Sequence, residues 1–396
     1  MKILFVAPND SIHTRRWISQ IKDENWSIYL FPSRANQKVH EGLKDIHCCA
    51  SFNSVATLFR MLGMGKLYTF FLTLFKHLLL KMFPHYRSWL LNLYIRILKP
   101  DIVHSLETQN AGYFVAKSRK RTKMKWPPWW HTNWGSDIFI FGNLPLHQPQ
   151  IRKVFENCDY YSCECNRDVE LAFKFGFKGV LLPVYPNTGG FDIKEMEALI
   201  ENTTPTSRRK VIMLKGYQGW AGRALTGIRA LERCSDLLTG FKIVLYSNAD
   251  GEDVAIASAL FTNRTGVPVQ ILKKDTPHRE ILALHGESRI SIGLSIGDAI
   301  STSLLEAMVM GAFPIQSCTA CASEWIQDGI SGLIVPPEDP EIIEMALRKA
   351  LLDDDLVDNA ARKNSLVIAS KADYHKLAEL TIQSYKQIYS NYYATF

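Results

Sequence analysis

Two successive series of short apolar runs, each separated from the next by a helix-length interval, constrain the fold of this 396-residue chain most. The first series opens with Lys2-Ile3-Leu4-Phe5-Val6-Ala7 and continues at 27–31, 102–104, 129–132 and 160–163. The second restarts at 211–214 and continues at 242–246, 269–272, 290–294 and 313–315. Apolar runs of this kind read as strands buried on both faces, as in a parallel sheet covered by helices. Their alternation with helices predicts α/β architecture in two domains. The polar stretch Glu201-Asn202-Thr203-Thr204-Pro205-Thr206-Ser207 reads as the linker between them. The expected organisation is an N-terminal Rossmann-like domain over 1–200, a second over 208–371, and a terminal helix within 372–396. At 47% hydrophobic and 21% charged residues, the chain is globular and can fill two cores.

The net charge of +7 is unevenly placed. Between Ser51 and Pro100 stand Arg60, Lys66, Lys76, Lys81, Arg87, Arg96 and Lys99, with no Asp or Glu. Without those seven, 39 basic residues face 39 acidic ones, so the remainder is neutral. Leu, Phe and Met fill the spaces between the cations. Such a segment suits a helix lying in a membrane interface and drawn to anionic headgroups; the bland alternative is a pair of buried helices. Lys66, Lys76 and Lys81 interrupt it before it reaches the roughly 18 apolar residues of a span. The Leu and Phe runs, without Gly-rich or RNP-like text, argue against nucleic acid as the partner. Eight cysteines without a regular framework, and a first strand beginning at Lys2, lead us to expect a reduced, cytoplasmic setting, peripheral at the membrane surface. Cys318-Thr319-Ala320-Cys321 has no second pair or His partner at zinc spacing, so no metal site is expected there.

Chemistry concentrates after the run at 290–294. The stretch Gly297-Asp298-Ala299-Ile300-Ser301-Thr302-Ser303-Leu304-Leu305-Glu306-Ala307-Met308, closed by Gly311, reads as strand, tight loop and helix. Ser301, Thr302 or Ser303 can cap the helix, and Gly311 stands where helices end. Free N–H groups and the positive end of the helix dipole suit a diphosphate in the loop. Asp298 and Glu306 flank that anion site as acceptors for sugar and ribose hydroxyls. A second glycine-rich loop, Lys215-Gly216-Tyr217-Gln218-Gly219-Trp220-Ala221-Gly222-Arg223, carries a cation at each end able to neutralise a departing diphosphate, with Lys274 as a further candidate. No G-x-G-x-x-G follows the first strand, which removes the dinucleotide-binding dehydrogenase reading.

The text from Asp298 to Ile315 resembles the acid-x7-Glu signature of retaining glycosyltransferases of the GT-B type, specifically family 4. Glu306-Ala307-Met308-Val309-Met310-Gly311-Ala312-Phe313-Pro314-Ile315 fits its second half closely, while Asp298-Ala299-Ile300-Ser301 departs from the usual Glu-Gly-Phe-Gly. The resemblance implies two Rossmann-like domains facing across a cleft, with a C-terminal helix crossing back to the first. It implies Asp298, Glu306 and Arg223 as the catalytic set, with Arg223 where the family has Lys. Lys215, Gly216, Lys274, Ala299, Ile300, Ser301, Thr302 and Ser303 would bind the donor. In the first domain, His131-Thr132-Asn133-Trp134-Gly135-Ser136-Asp137 resembles a family landmark that carries a His where this chain has Trp134. Asp10, His131 and Asp137 are the candidates to replace that His, and Trp134 either stacks on a sugar or fills the core. Asn9, Asp10, His13, Trp134 and Asp137 are the expected acceptor contacts.

The implied reaction moves a hexose-type sugar, with retention, from a UDP- or GDP-linked donor to a hydroxyl of a lipid-linked glycan at the inner membrane surface with its anionic lipids. No cofactor and no obligatory metal are expected. The alternatives are a catalytically silent partner protein of this fold, or a sugar-nucleotide epimerase or hydrolase.

Overall fold

The computed structural model describes residues 1–34, 38–48, 85–201, 203–219, 221–247 and 251–394. They form two units, the first made of Met1–Gly189 with Ala378–Phe396 and the second of Gly190–Leu377.

The first unit is built on a seven-stranded sheet with every pair parallel, in the order β3-β2-β1-β4-β5-β6-β7. Its strands are β1 (Lys2–Ala7), β2 (Ser27–Pro32), β3 (His47–Cys48), β4 (Ile102–Leu106), β5 (Trp129–Thr132), β6 (Tyr160–Ser162) and β7 (Val180–Leu181). Ile3, Leu4, Phe5, Val6 and Ala7 of β1 are all fully buried, as the unbroken apolar run requires of a central parallel strand. Burying each of the larger of these side chains contributes about 1.5–3 kcal/mol. The helix Tyr374–Tyr393 begins in the second unit, and from Ala378 onward its residues belong to the first. Tyr385 enters that core, where its hydroxyl accepts from Trp17 Nε1 at 3.0 Å and lies 2.6 Å from His104 Nδ1. Thr381 Oγ1 donates to Gln20 Oε1 at 2.9 Å.

The second unit carries a six-stranded parallel sheet in the order β10-β9-β8-β11-β12-β13. Its strands are β8 (Val211–Lys215), β9 (Lys242–Tyr246), β10 (Val269–Ile271), β11 (Ser288–Gly293), β12 (Phe313–Ser317) and β13 (Leu333–Val335). Ile212, Leu214, Ile290, Ile292, Phe313 and Ile315 point to one face and form the main core with the helices Ala224–Arg233, Pro340–Leu352 and Asp354–Lys371. The opposite face carries Met213, Val244 and Tyr246.

The division between units falls before the expected linker. Helix Ile193–Ile200, expected within the first domain, belongs to the second, where Met196 is buried and Ile200 lies near Gly286. The chain turns instead at Gly189 and Gly190, with φ of +81° and +69°. A Cβ on Gly190 would stand 2.2 Å from the carbonyl oxygen of Ala372, so only glycine fits there.

Of the basic, apolar segment 51–100, residues 51–84 lie outside the described residues. The remainder forms helix Tyr86–Leu98, which buries Leu91 and Ile95 and leaves Trp89 and Ile97 exposed. Arg87, counted above among the headgroup-facing cations, is instead an internal staple. Its guanidinium donates to the carbonyls of Pro32 and Ser33 and lies 5.0 Å from the Phe114 ring. Among the described residues, no helix is long and apolar enough to cross a membrane.

Candidate active site

In both sheets the strand order reverses direction once, between β1 and β4 in the first and between β8 and β11 in the second. Such a reversal leaves a crevice at the carboxyl ends of the two strands, where ligands of doubly wound sheets bind. Of the residues singled out from the sequence, Asn9, Asp10 and His13 follow β1, Lys215, Gly216 and Arg223 end or follow β8, and Asp298 to Glu306 follow β11, whereas Trp134 and Asp137 follow β5 and Lys274 follows β10.

At the second unit's crevice, β8 ends on Lys215 and β11 leads through 294–301 into helix Thr302–Val309. Lys215 Nζ lies 3.2 Å from Asp298 Oδ2 and donates to Ser301 Oγ at 3.0 Å and Ser295 Oγ at 3.4 Å. Burial opposes the charge on this side chain and is the largest single influence, but Asp298, Tyr217 and Glu306 together outweigh it and hold the ammonium above its ordinary pKa. Ser301 occupies the N-cap position without capping: its side chain makes no bond to the helix backbone and lies 2.8 Å from Ser303 Oγ. The first-turn N–H groups are thus not claimed by Ser301, one of the three candidate caps, which suits an anion site. Ala299 and Ile300 are buried behind this turn, with the Ala299 carbonyl accepting from Cys321 N at 2.8 Å. Helix Thr302–Val309 ends just before Gly311, whose φ is +76°.

Glu306 is buried, and its Oε1 lies 2.6 Å from His278 Nε2. His278 was not anticipated. The contact joins residues 28 apart on different helices, and no periodicity or spacing signals it.

Arg223 differs from expectation. Its guanidinium binds Glu338 Oε1 at 2.8 and 2.6 Å and donates to the carbonyls of Gly219 and Gly222. It braces the glycine-rich loop from outside, and Lys215 is the cation seated beside Asp298. Gly216 N donates to the Tyr246 carbonyl at 2.7 Å, which fixes the start of that loop. Lys274 is exposed on the loop after β10.

In the first unit, Asn9, Asp10 and His13 follow β1. Asn9 is buried, Asp10 is exposed, and the His13 ring lies 5.2 Å from the ring of Trp134. Trp134 is only partly buried, so it does not fill the core. Asp137, expected to touch the acceptor, is turned inward. It accepts from Thr108 N at 2.9 Å, Thr108 Oγ1 at 3.0 Å and Trp134 N at 2.9 Å, stapling the loops after β4 and β5. Burial, then Glu107 and Asp168, push its carboxyl up to about 7. His131 is likewise internal, with Ser105 Oγ at 2.9 Å and Thr108 Oγ1 at 3.2 Å, and burial lowers its pKa to about 3. Neither side chain is placed to take the role of the family His. Glu107, the last residue of the stretch Pro100 to Glu107 that also resembles a family landmark, follows β4 at a φ of +78° and accepts from Asn110 N at 3.0 Å and Ala111 N at 3.3 Å. A strained, buried acid at a strand end is a common feature of ligand sites.

The glycosyl transferases group 1 family matches residues 240–367, which include Asp298, Glu306 and His278. A search of curated protein sequences finds no match. Among solved structures, the chain resembles sucrose-phosphate synthase from Thermosynechococcus elongatus at 13% identity and a TM-score of 0.67, covering 99% of this chain and 100% of that one. A glycosyltransferase from Rickettsia africae aligns at 15% identity over 98% of both chains, with a TM-score of 0.69. HepE from Anabaena, in complex with UDP and glucose, aligns at 14% identity over 98% of this chain and 100% of that one, with a TM-score of 0.65. At such identities the likeness establishes the fold. With two parallel-sheet α/β units in a GT-B fold and a glycosyl transferases group 1 domain over residues 240–367, the chain is a glycosyltransferase.

Proposed function

We propose that the enzyme is a retaining glycosyltransferase of the family 4 type, moving a hexose from a UDP- or GDP-sugar to a hydroxyl of a lipid-linked glycan. The observation that carries the donor half is Lys215, held among Asp298, Ser295 and Ser301 at the β8/β11 crevice, beside a helix N-terminus that Ser301 does not cap. A diphosphate there meets an ammonium and backbone N–H groups without needing a metal. Glu306 accepts from the ribose and Asp298 from the sugar. In the reaction the bond from the anomeric carbon to the diphosphate oxygen breaks, and the acceptor oxygen bonds to the same face. The acceptor proton passes to the departing phosphate oxygen, leaving a nucleoside diphosphate. The Anabaena fold neighbour crystallised with UDP and glucose supports a uridine donor.

For the acceptor, Asp10, Trp134 and the His13 ring beside it stand at the carboxyl ends of β1 and β5. A membrane address is supported by a second basic stretch. Lys117, Lys120, Arg121, Lys123 and Lys125 are exposed within nine residues that contain no acid. Next to them a cavity of about 330 Å³ is lined by Trp89, Arg96 and Arg121 among others. Exposed cations beside exposed Trp89 and Ile97 suit anionic headgroups, each cation contributing about 1 kcal/mol near a charged surface.

The test is transfer from UDP- and GDP-hexoses to membrane lipid extract, with the anomeric configuration of the product read by NMR. The expected product keeps the donor's configuration. An inverted product refutes retention, and nucleoside diphosphate release that does not depend on the extract refutes the acceptor class. In flotation, vesicles of phosphatidylcholine with phosphatidylglycerol should carry the protein, and R96E/R121E should weaken this; equal flotation on pure phosphatidylcholine overturns the membrane claim.

A further inference from the structure

We propose that His278 is a positioning residue for the donor, orienting Glu306 toward the ribose hydroxyls. This rests on the reading of Glu306 as the ribose acceptor. His278 opens the helix His278–Gly286, directly after Pro277, and its Nε2 lies 2.6 Å from Glu306 Oε1. The ring nitrogen donates, because a carboxylate oxygen only accepts. The two side chains differ in depth: Glu306 is 7% exposed and His278 45%. The carboxylate thus forms the inner wall and the imidazole the outer edge.

A charge-assisted bond this short, made to a carboxylate this buried, selects one rotamer of Glu306. The other oxygen, Oε2, lies 3.9 Å from Nε2 of His285, beyond hydrogen-bond reach. His285 is fully buried, and burial lowers its pKa to about 4, so near neutral pH it is an uncharged neighbour. A carboxylate offers about four lone-pair positions, so the bond from His278 to Oε1 does not by itself exhaust the acceptor capacity of Glu306.

Isothermal titration of UDP, GDP, their 2′,3′-dideoxy counterparts and pyrophosphate tests this on the full-length wild type, H278A, H278Q and E306Q. H278A should weaken the tighter-binding ribonucleotide about tenfold, the order of one hydrogen bond to a charged group. It should leave the dideoxynucleotide and pyrophosphate within about twofold, and H278Q, which retains an N–H donor, should recover most of the loss. Undiminished ribonucleotide binding by H278A, or an equal loss for the dideoxynucleotide, overturns the role of His278. If E306Q binds the ribonucleotide like wild type, or if wild type binds neither nucleotide, the reading of Glu306 falls first and the proposal with it.

Discussion

Replacing Lys215 by Met removes the ammonium and keeps most of the side chain's volume, which isolates the charge. In the structure that ammonium is 10% exposed and bonded to Asp298, Ser301 and Ser295 at 3.0–3.4 Å, so it is fixed before any donor arrives. Loss of one preorganised donor aimed at a developing anion costs about 2.7–4 kcal/mol, or about 10²–10³ in kcat. Arg223 supplies the contrast. It is paired with Glu338, which is 67% exposed, and ion pairs of that kind contribute about 0–1 kcal/mol. R223M should therefore lower kcat by about fivefold at most. The assay is nucleoside diphosphate release at saturating donor, with near-UV circular dichroism confirming the fold of each variant. The reasoning fails if K215M stays within tenfold of wild type, or if R223M falls as far as K215M.

Three further outcomes concern the scaffold. Y385F leaves Trp17 Nε1 and His104 Nδ1 without their partner in a buried core, at about 1–3 kcal/mol each; thermal unfolding should move down by several degrees, and an unchanged midpoint contradicts the docking of the C-terminal helix. Acid should weaken the fold through His131 and His104, whose pKa values burial lowers, to about 3 for His131 and well below normal for His104. Their contribution is complete above about pH 6.5 and is lost as pH falls through the histidine range toward those values. Asp137, raised to about 7, has the opposite slope between about pH 4 and 7, so D137N should make the acid loss steeper in urea titrations at stepped pH; a shallower loss refutes the assignment. G190A forces a methyl against the Ala372 carbonyl and should destabilise the fold by more than about 1 kcal/mol, read as a lowered unfolding midpoint, whereas a neutral effect contradicts the turn at that residue.

The central strands were legible because burial on both faces leaves an unbroken apolar run, as in Ile3 to Ala7 and Ile212 to Leu214. The edge strands were not: β3 and β7 have two residues each, and Val180 and Leu181 are exposed. Composition marked 201–207 as the linker, but the turn at Gly189 and Gly190 depends on a close approach to Ala372 that no local signal carries. At the site, Lys215, Asp298 and Ser301 could be found because strand ends and a helix start concentrate them. The pairing of Arg223 with Glu338, 115 residues away, is invisible from the loop's own text. His278 was passed over for the same reason. Asp137 and His131 carried the right chemistry in a suggestive motif, but their partners Thr108 and Ser105 lie on and after the neighbouring strand and draw both inward.

A crystal structure with the nucleoside diphosphate that binds more tightly, UDP or GDP, tests the central claim most directly. The account predicts a phosphate oxygen within hydrogen-bond distance of Lys215 Nζ and of the Thr302 or Ser303 N–H, with the ribose hydroxyls on Glu306. A diphosphate seated on Arg223, or a ribose that leaves Glu306 untouched, would contradict it.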